Sequence, residues 1–67
     1  MRLQINTTGA WRNLFDFATD LAAGVEDAAA ALSRAAGGVN MAVLDDDGTR
    51  RYLNEWGVFR ALREEVQ

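Results

Sequence analysis

Ten carboxylates dominate the reactive side chains of this chain, which has neither Cys nor His, and whose seven basic residues are all Arg. Without His the commonest general base and metal ligand is missing, and without Lys there is no Schiff-base amine. Without Cys there is neither a disulfide nor a thiolate for a metal. The densest acidic cluster is Asp45-Asp46-Asp47-Gly48. A calcium loop of the EF-hand kind needs oxygen ligands at its first, third and fifth positions, Gly at the sixth and Glu at the twelfth. With Gly48 as the sixth residue, Val43 falls first and Asn54 twelfth, so the pattern fails. The same residues suit a solvated hairpin turn, because Asp and Gly favour that geometry. No metal site is assigned.

Carboxylate-pair catalysis needs two acids ~5–9.5 Å apart across a cleft, and ligand pockets start at ~300 Å³, which small chains rarely enclose. The six glycines show no phosphate-loop spacing. The expectation is therefore a protein that is not an enzyme and needs no cofactor.

A row of acids is more informative. On a helical wheel Asp16, Asp20 and Asp27 fall within about 40° of one another, with Glu26 to one side. On a helix Asp16 and Asp20 would stand ~6 Å apart and Asp16 and Asp27 ~16 Å, a scale similar to that of phosphates along a strand. No Arg or Lys interrupts the stretch from Asp16 to Asp27, where i, i+4 ion pairs would be stabilising. With the Asp45, Asp46 and Asp47 turn extending the negative field, this predicts an anionic docking ridge. Arg50 and Arg51 balance the neighbouring Asp run across the hairpin, and Trp11 and Trp56 serve as core or interface anchors.

The elements that must carry these residues follow from periodicity. Leu3 and Ile5 alternate with polar neighbours over Arg2–Asn6, which predicts a strand. Thr7-Thr8-Gly9 offers a helix cap. From Trp11 through Leu14, Phe15, Ala18, Leu21, Ala22, Val25, Ala28, Ala29 and Leu32 to Ala36, apolar steps of one, three or four residues trace one stripe. That predicts a single helix over about 9–36, ended by Gly37-Gly38. It would be ~42 Å long against ~28 Å for a globule of this size, so part must overhang, bend at Gly24, or pack on a second copy. Val39–Leu44 and Thr49–Leu53 read as a hairpin about the Asp turn, and Asn54 caps a last helix over 55–66 with Val58, Phe59, Leu62 and Val66 on its apolar face. The expected fold is α+β: a two-layer β-α-β-β-α single domain over 1–67. Its three-stranded sheet, with the last strand either in the middle, which avoids a parallel pair, or outside the second, is covered by one long and one short helix.

The chain has 67 residues, 49% apolar, and a net charge of −3. Twelve of the apolar residues are Ala, so few large side chains are left for a core. The acidic balance argues against direct nucleic-acid binding. No stretch reads as a signal peptide or a membrane span, which fits a cytoplasmic protein.

Size, acidity, the missing Cys and His, and the carboxylates Asp16, Asp20, Glu26, Asp27 and Asp45–Asp47 together resemble the anti-CRISPR class of small phage and mobile-element proteins. The resemblance is one of type, without a diagnostic motif. It implies stoichiometric inhibition in the host-cell cytoplasm by a DNA-mimicking surface that occupies a basic nucleic-acid-binding protein or complex. The alternative reading is an assembly protein that forms a homodimer through its Ala-rich helix, where Ala22, Gly24, Ala28, Ala29 and Ala36 allow close approach.

Overall fold

The computed structural model describes residues 1–61. Within them the chain is α+β, with five strands and one α-helix. The strands are β1 (Arg2–Asn6), β2 (Trp11–Asp16), β3 (Asn40–Leu44), β4 (Arg50–Leu53) and β5 (Phe59–Ala61); helix α1 is Ala22–Ala35, preceded by a one-turn helix at Thr19–Leu21. They form one sheet in the order β2-β1-β3-β4-β5, every neighbouring pair antiparallel.

This corrects the expected three-stranded sheet with two helices. Residues 11–16 are strand, not the start of a long helix. The reason is a register irregularity opposite Leu3 and Gln4: Leu3 pairs with Phe15 but Gln4 with Asn13, leaving Leu14 as an extra residue. A bulge of this kind breaks strict alternation and turns two successive side chains to one face. Trp11, Leu14 and Phe15 then show spacings of three and four, which a helix also produces. The remaining helix of 14 residues is ~21 Å long and crosses the sheet without overhang. It stops where expected, with Gly38 N–H donating to the Ser33 carbonyl at 2.7 Å.

Of the two places open to the last expected strand, the structure takes the outer one, in a sheet that is antiparallel throughout. A lone helix between the first two expected strands would make them parallel. The β1–β2 hairpin reverses the chain first, so β3 returns antiparallel beside β1, and β4 lies outside β3. The expected last helix is likewise replaced, in its first part, by the Asn54–Gly57 turn and β5; the rest of that expectation lies outside the described residues.

The three hairpin turns share one signature, Asx-x-x-Gly: Asn6-Thr7-Thr8-Gly9, Asp45-Asp46-Asp47-Gly48 and Asn54-Glu55-Trp56-Gly57. Each closing Gly has positive φ, a conformation that costs L-residues and not Gly. Asn6 Oδ1 accepts the Gly9 N–H at 2.9 Å, and Asn54 Oδ1 accepts those of Trp56 and Val58 at 2.9 and 3.0 Å. The chemistry that makes Asn54 a helix cap also makes it a turn former, which is why a cap is the wrong conclusion there.

The core lies between the sheet and α1. Leu3, Met41, Val43, Phe59 and Ala29 are buried, with Ile5, Val25 and Leu53 packed against them. Met41 and Val43 are the largest side chains that are wholly enclosed. Ser33 Oγ donates to the Val39 carbonyl at 2.6 Å and ties the end of α1 to the start of β3.

Candidate functional site

The acids do not form the expected ridge along one helix. Asp16 belongs to β2, Asp20 to the one-turn helix, and Glu26 and Asp27 to α1. Asp16 accepts a hydrogen bond from Arg2 Nε at 2.7 Å, and this bond holds its carboxyl below the usual carboxylate range. Asp46 accepts from the N-terminal ammonium at 2.8 Å, which lowers its pKa, and from Thr19 Oγ1 at 3.3 Å. Asp47 Oδ1 accepts the Thr49 N–H at 2.9 Å, and that backbone bond lowers its pKa too.

Glu26 and Asp45 meet at one cation. Arg51 Nε and Nη2 grip both oxygens of Asp45 at 2.9 and 3.0 Å, while Nη2 also reaches Glu26 Oε2 at 2.7 Å. These bonds, Asp45 first, raise the Arg51 pKa above its ordinary value. The fork geometry is the reason an Arg does this and a Lys would not. It clamps β4, the β3–β4 turn and α1 together.

Tertiary folding does bring Asp16, Asp45 and Asp46 to one end of the sheet, around a shallow cleft of about 270 Å³. Arg2 and the N-terminus line the same cleft, so the cluster is mixed in sign. Asp20 and Asp27 are exposed and make no ion pair among the described residues.

A different feature carries more weight. Between β2 and α1 runs an apolar groove of about 390 Å³, lined by Leu3, Leu14, Phe15, Leu21, Val25 and Leu32, with Gly24, Ala28 and Ala29 as its small-residue floor. Leu14, Phe15, Leu21 and Leu32 are 44%, 50%, 57% and 51% exposed. Four large apolar side chains half in water along one groove is more than scattered surface hydrophobicity. The sequence pattern placed them on a buried stripe; the bulge at Leu14 and the short helix leave them at the rim. Among the described residues β2 pairs only with β1, so the outer edge of β2 borders this groove with backbone groups open to another strand.

The opposite face of the sheet, which no helix covers among the described residues, is organised by Trp11. Its ring meets that of Tyr52 edge-on at 5.8 Å, and the Arg50 guanidinium lies 5.7 Å above it. Strands β2 and β4 are three strand spacings apart, ~14 Å, so the two rings lean toward each other across Gln4 and Ala42. That explains why Ala42 and Gln4, on the side away from α1, are buried. Arg51 balances the Asp run as expected; Arg50 instead faces the aromatic pair.

Trp56, 78% exposed, is no part of the core. It borders a cleft of mixed polarity and about 420 Å³, lined by apolar Ala30, Val39 and Leu53 and by polar Ser33, Arg34 and Glu55. The Ser33 hydroxyl there is engaged by the Val39 carbonyl, and the cleft lining pairs it with no base. Among the described residues no three His, Cys, Asp or Glu side chains are grouped as metal ligands, and no helix is long and apolar enough to cross a membrane. No protein-family model, curated protein or solved structure matches this chain.

Proposed function

We propose that this protein is a non-catalytic assembly module that pairs with a second copy through the β2 edge and the adjoining α1 groove. The observation that carries the reading is the half-exposed apolar set Leu14, Phe15, Leu21 and Leu32 beside an open strand edge. A two-fold interface requires a surface complementary to itself. An apolar groove meets that requirement, and so does the strand edge, which offers its own copy the same row of backbone donors and acceptors when β2 lies antiparallel to itself.

Burying the exposed half of each large side chain contributes about 1 kcal/mol. Eight such side chains in a symmetric pair give about 8 kcal/mol, against an association cost of ~4–15 kcal/mol. Strand-to-strand hydrogen bonds add to the favourable side. The pairing is thus an equilibrium of roughly micromolar to sub-millimolar strength, visible at high protein concentration.

Sedimentation across a concentration series tests this. The expected result is a monomer–dimer equilibrium insensitive to salt, shifted to monomer by Leu32→Glu with unchanged circular dichroism. A wild-type monomer at about 1 mM, or a Leu32→Glu dimer of undiminished strength, rejects it.

Exposed Asp20 and Asp27 favour a second reading, the anti-CRISPR-like inhibitor that meets a basic nucleic-acid-binding partner in a host-cell cytoplasm. Salt-sensitive capture by such a complex, lost on Asp20→Arg with Asp27→Arg, would support it.

A further inference from the structure

We infer that the face of the sheet opposite α1 binds single-stranded nucleic acid. Strand register puts Arg2, Gln4, Trp11 and Asp16 on the same face as Arg50, Tyr52 and Arg60, with Ala42 and Leu44 between them. Its charged strand residues are three arginines and one aspartate, and that aspartate is already held by Arg2. The acids Asp20, Glu26 and Asp27 sit on the one-turn helix and α1, away from it. The chain's net charge of −3 therefore conceals a basic sheet face, and charge is what a phosphate backbone reads first.

The aromatic pair supplies the second requirement. Trp11 and Tyr52 meet edge to face, and with the Arg50 guanidinium over the Trp11 ring they offer aromatic faces and a planar cation against which an unpaired base can stack. In a duplex those base faces are occupied by neighbouring bases, so such a platform selects single strands. The third element is polar. Gln4 Nε2 donates to Asn13 Oδ1 at 2.8 Å, whereas Gln4 Oε1 is buried without a donor. A buried acceptor of this kind costs free energy until a donor reaches it. In register it lies on this face between the strands that carry Trp11 and Tyr52, where a ring N–H or amino group of a base that parts the rings would arrive. Asn6, Asn13 and Asn40 add amides that can meet base edges.

The test uses Trp11 as its own reporter. Trp56→Phe in the remote β4–β5 turn leaves Trp11 as the sole indole, and oligothymidylate of about ten nucleotides is titrated at about 50 and about 200 mM salt. Saturable quenching of Trp11 is expected. The log–log salt slope should be about −1.4 to −2.1, for two or three neutralised phosphates on a single strand. Arg50→Gln, a surface change, should weaken binding and flatten the slope, and Tyr52→Ala should lower affinity roughly five- to hundred-fold. No change in Trp11 emission up to about 1 mM strand at low salt overturns the inference. So does equal binding of polyglutamate, which would make the face a general anion collector, or undiminished binding by the Arg50→Gln/Arg60→Gln variant.

Discussion

Replacing Arg51 with Met should cost more than any single ion pair on the surface of a domain this small. Arg51, Glu26 and Asp45 are 23%, 21% and 21% exposed at their side chains. Exposed pairs contribute 0–1 kcal/mol, and stranding one partner of a fully buried pair costs 3–5 kcal/mol. Arg51→Met strands two carboxylates at about four-fifths burial, which sets the loss at about 2 kcal/mol. Met retains the aliphatic stem, so the packing term is small. For a domain of this length that corresponds to a fall in Tm of about 8–16 °C. Because the penalty comes from two uncompensated negative charges, it should shrink as they are neutralised. Thermal melts by circular dichroism at pH 7 should show the full loss for Arg51→Met. The triple variant Arg51→Met, Glu26→Gln, Asp45→Asn should recover part of the loss at neutral pH. A loss below about 0.5 kcal/mol, or one that the triple variant does not reduce, would mean that solvent screens the cluster and the clamp is not structural.

The other expectations concern the turns and the acid limb of stability. Asn54→Ala removes the acceptor of two backbone N–H groups in the β4–β5 turn; a loss of about 1 kcal/mol, or about 4–8 °C in Tm, is expected, and an unchanged melt would show that Gly57 and the backbone bonds hold the turn alone. Asp16 and Asp47 have pKa values lowered from 3.8 by their hydrogen bonds. The unfolded chain therefore takes up protons first as pH falls. The stability these groups contribute is complete above about pH 5 and is lost progressively below the unfolded value; urea midpoints between pH 6 and 2.5 should trace this decline, with a shallower limb in Asp47→Asn.

Much of the hairpin scaffold is legible at short range. Arg2–Asn6 alternates because one of its faces lies on the core, and the Asp turn and the Gly37-Gly38 helix end are decided within a few residues by side-chain acceptors and by glycine's freedom at positive φ. The same local chemistry misleads at Thr7–Gly9 and at Asn54, since an Asx or Thr oxygen satisfies an amide two or three residues on in a turn as well as in a helix. The Asx-x-x-Gly signature, repeated three times, was the available signal for hairpins at both places.

Residues 11–16 show where sequence reasoning stops. Trp11, Leu14 and Phe15 satisfy a helical spacing and a bulged strand equally, and only pairing with Arg2–Asn6 decides between them. That pairing moves Asp16 off any helix, leaves Leu14 and Phe15 beside a groove, and carries Trp11 to the face away from α1. The partners of the acids are equally non-local: Arg51 reaches Glu26 across twenty-five positions of chain. Local composition determined that this chain has short strands, glycine-closed turns, an Ala-rich helix and more acid than base. Which side of the sheet gathers arginines, which carboxylates are compensated and which apolar side chains remain in water were decided by long-range pairing, because those properties belong to neighbours in space.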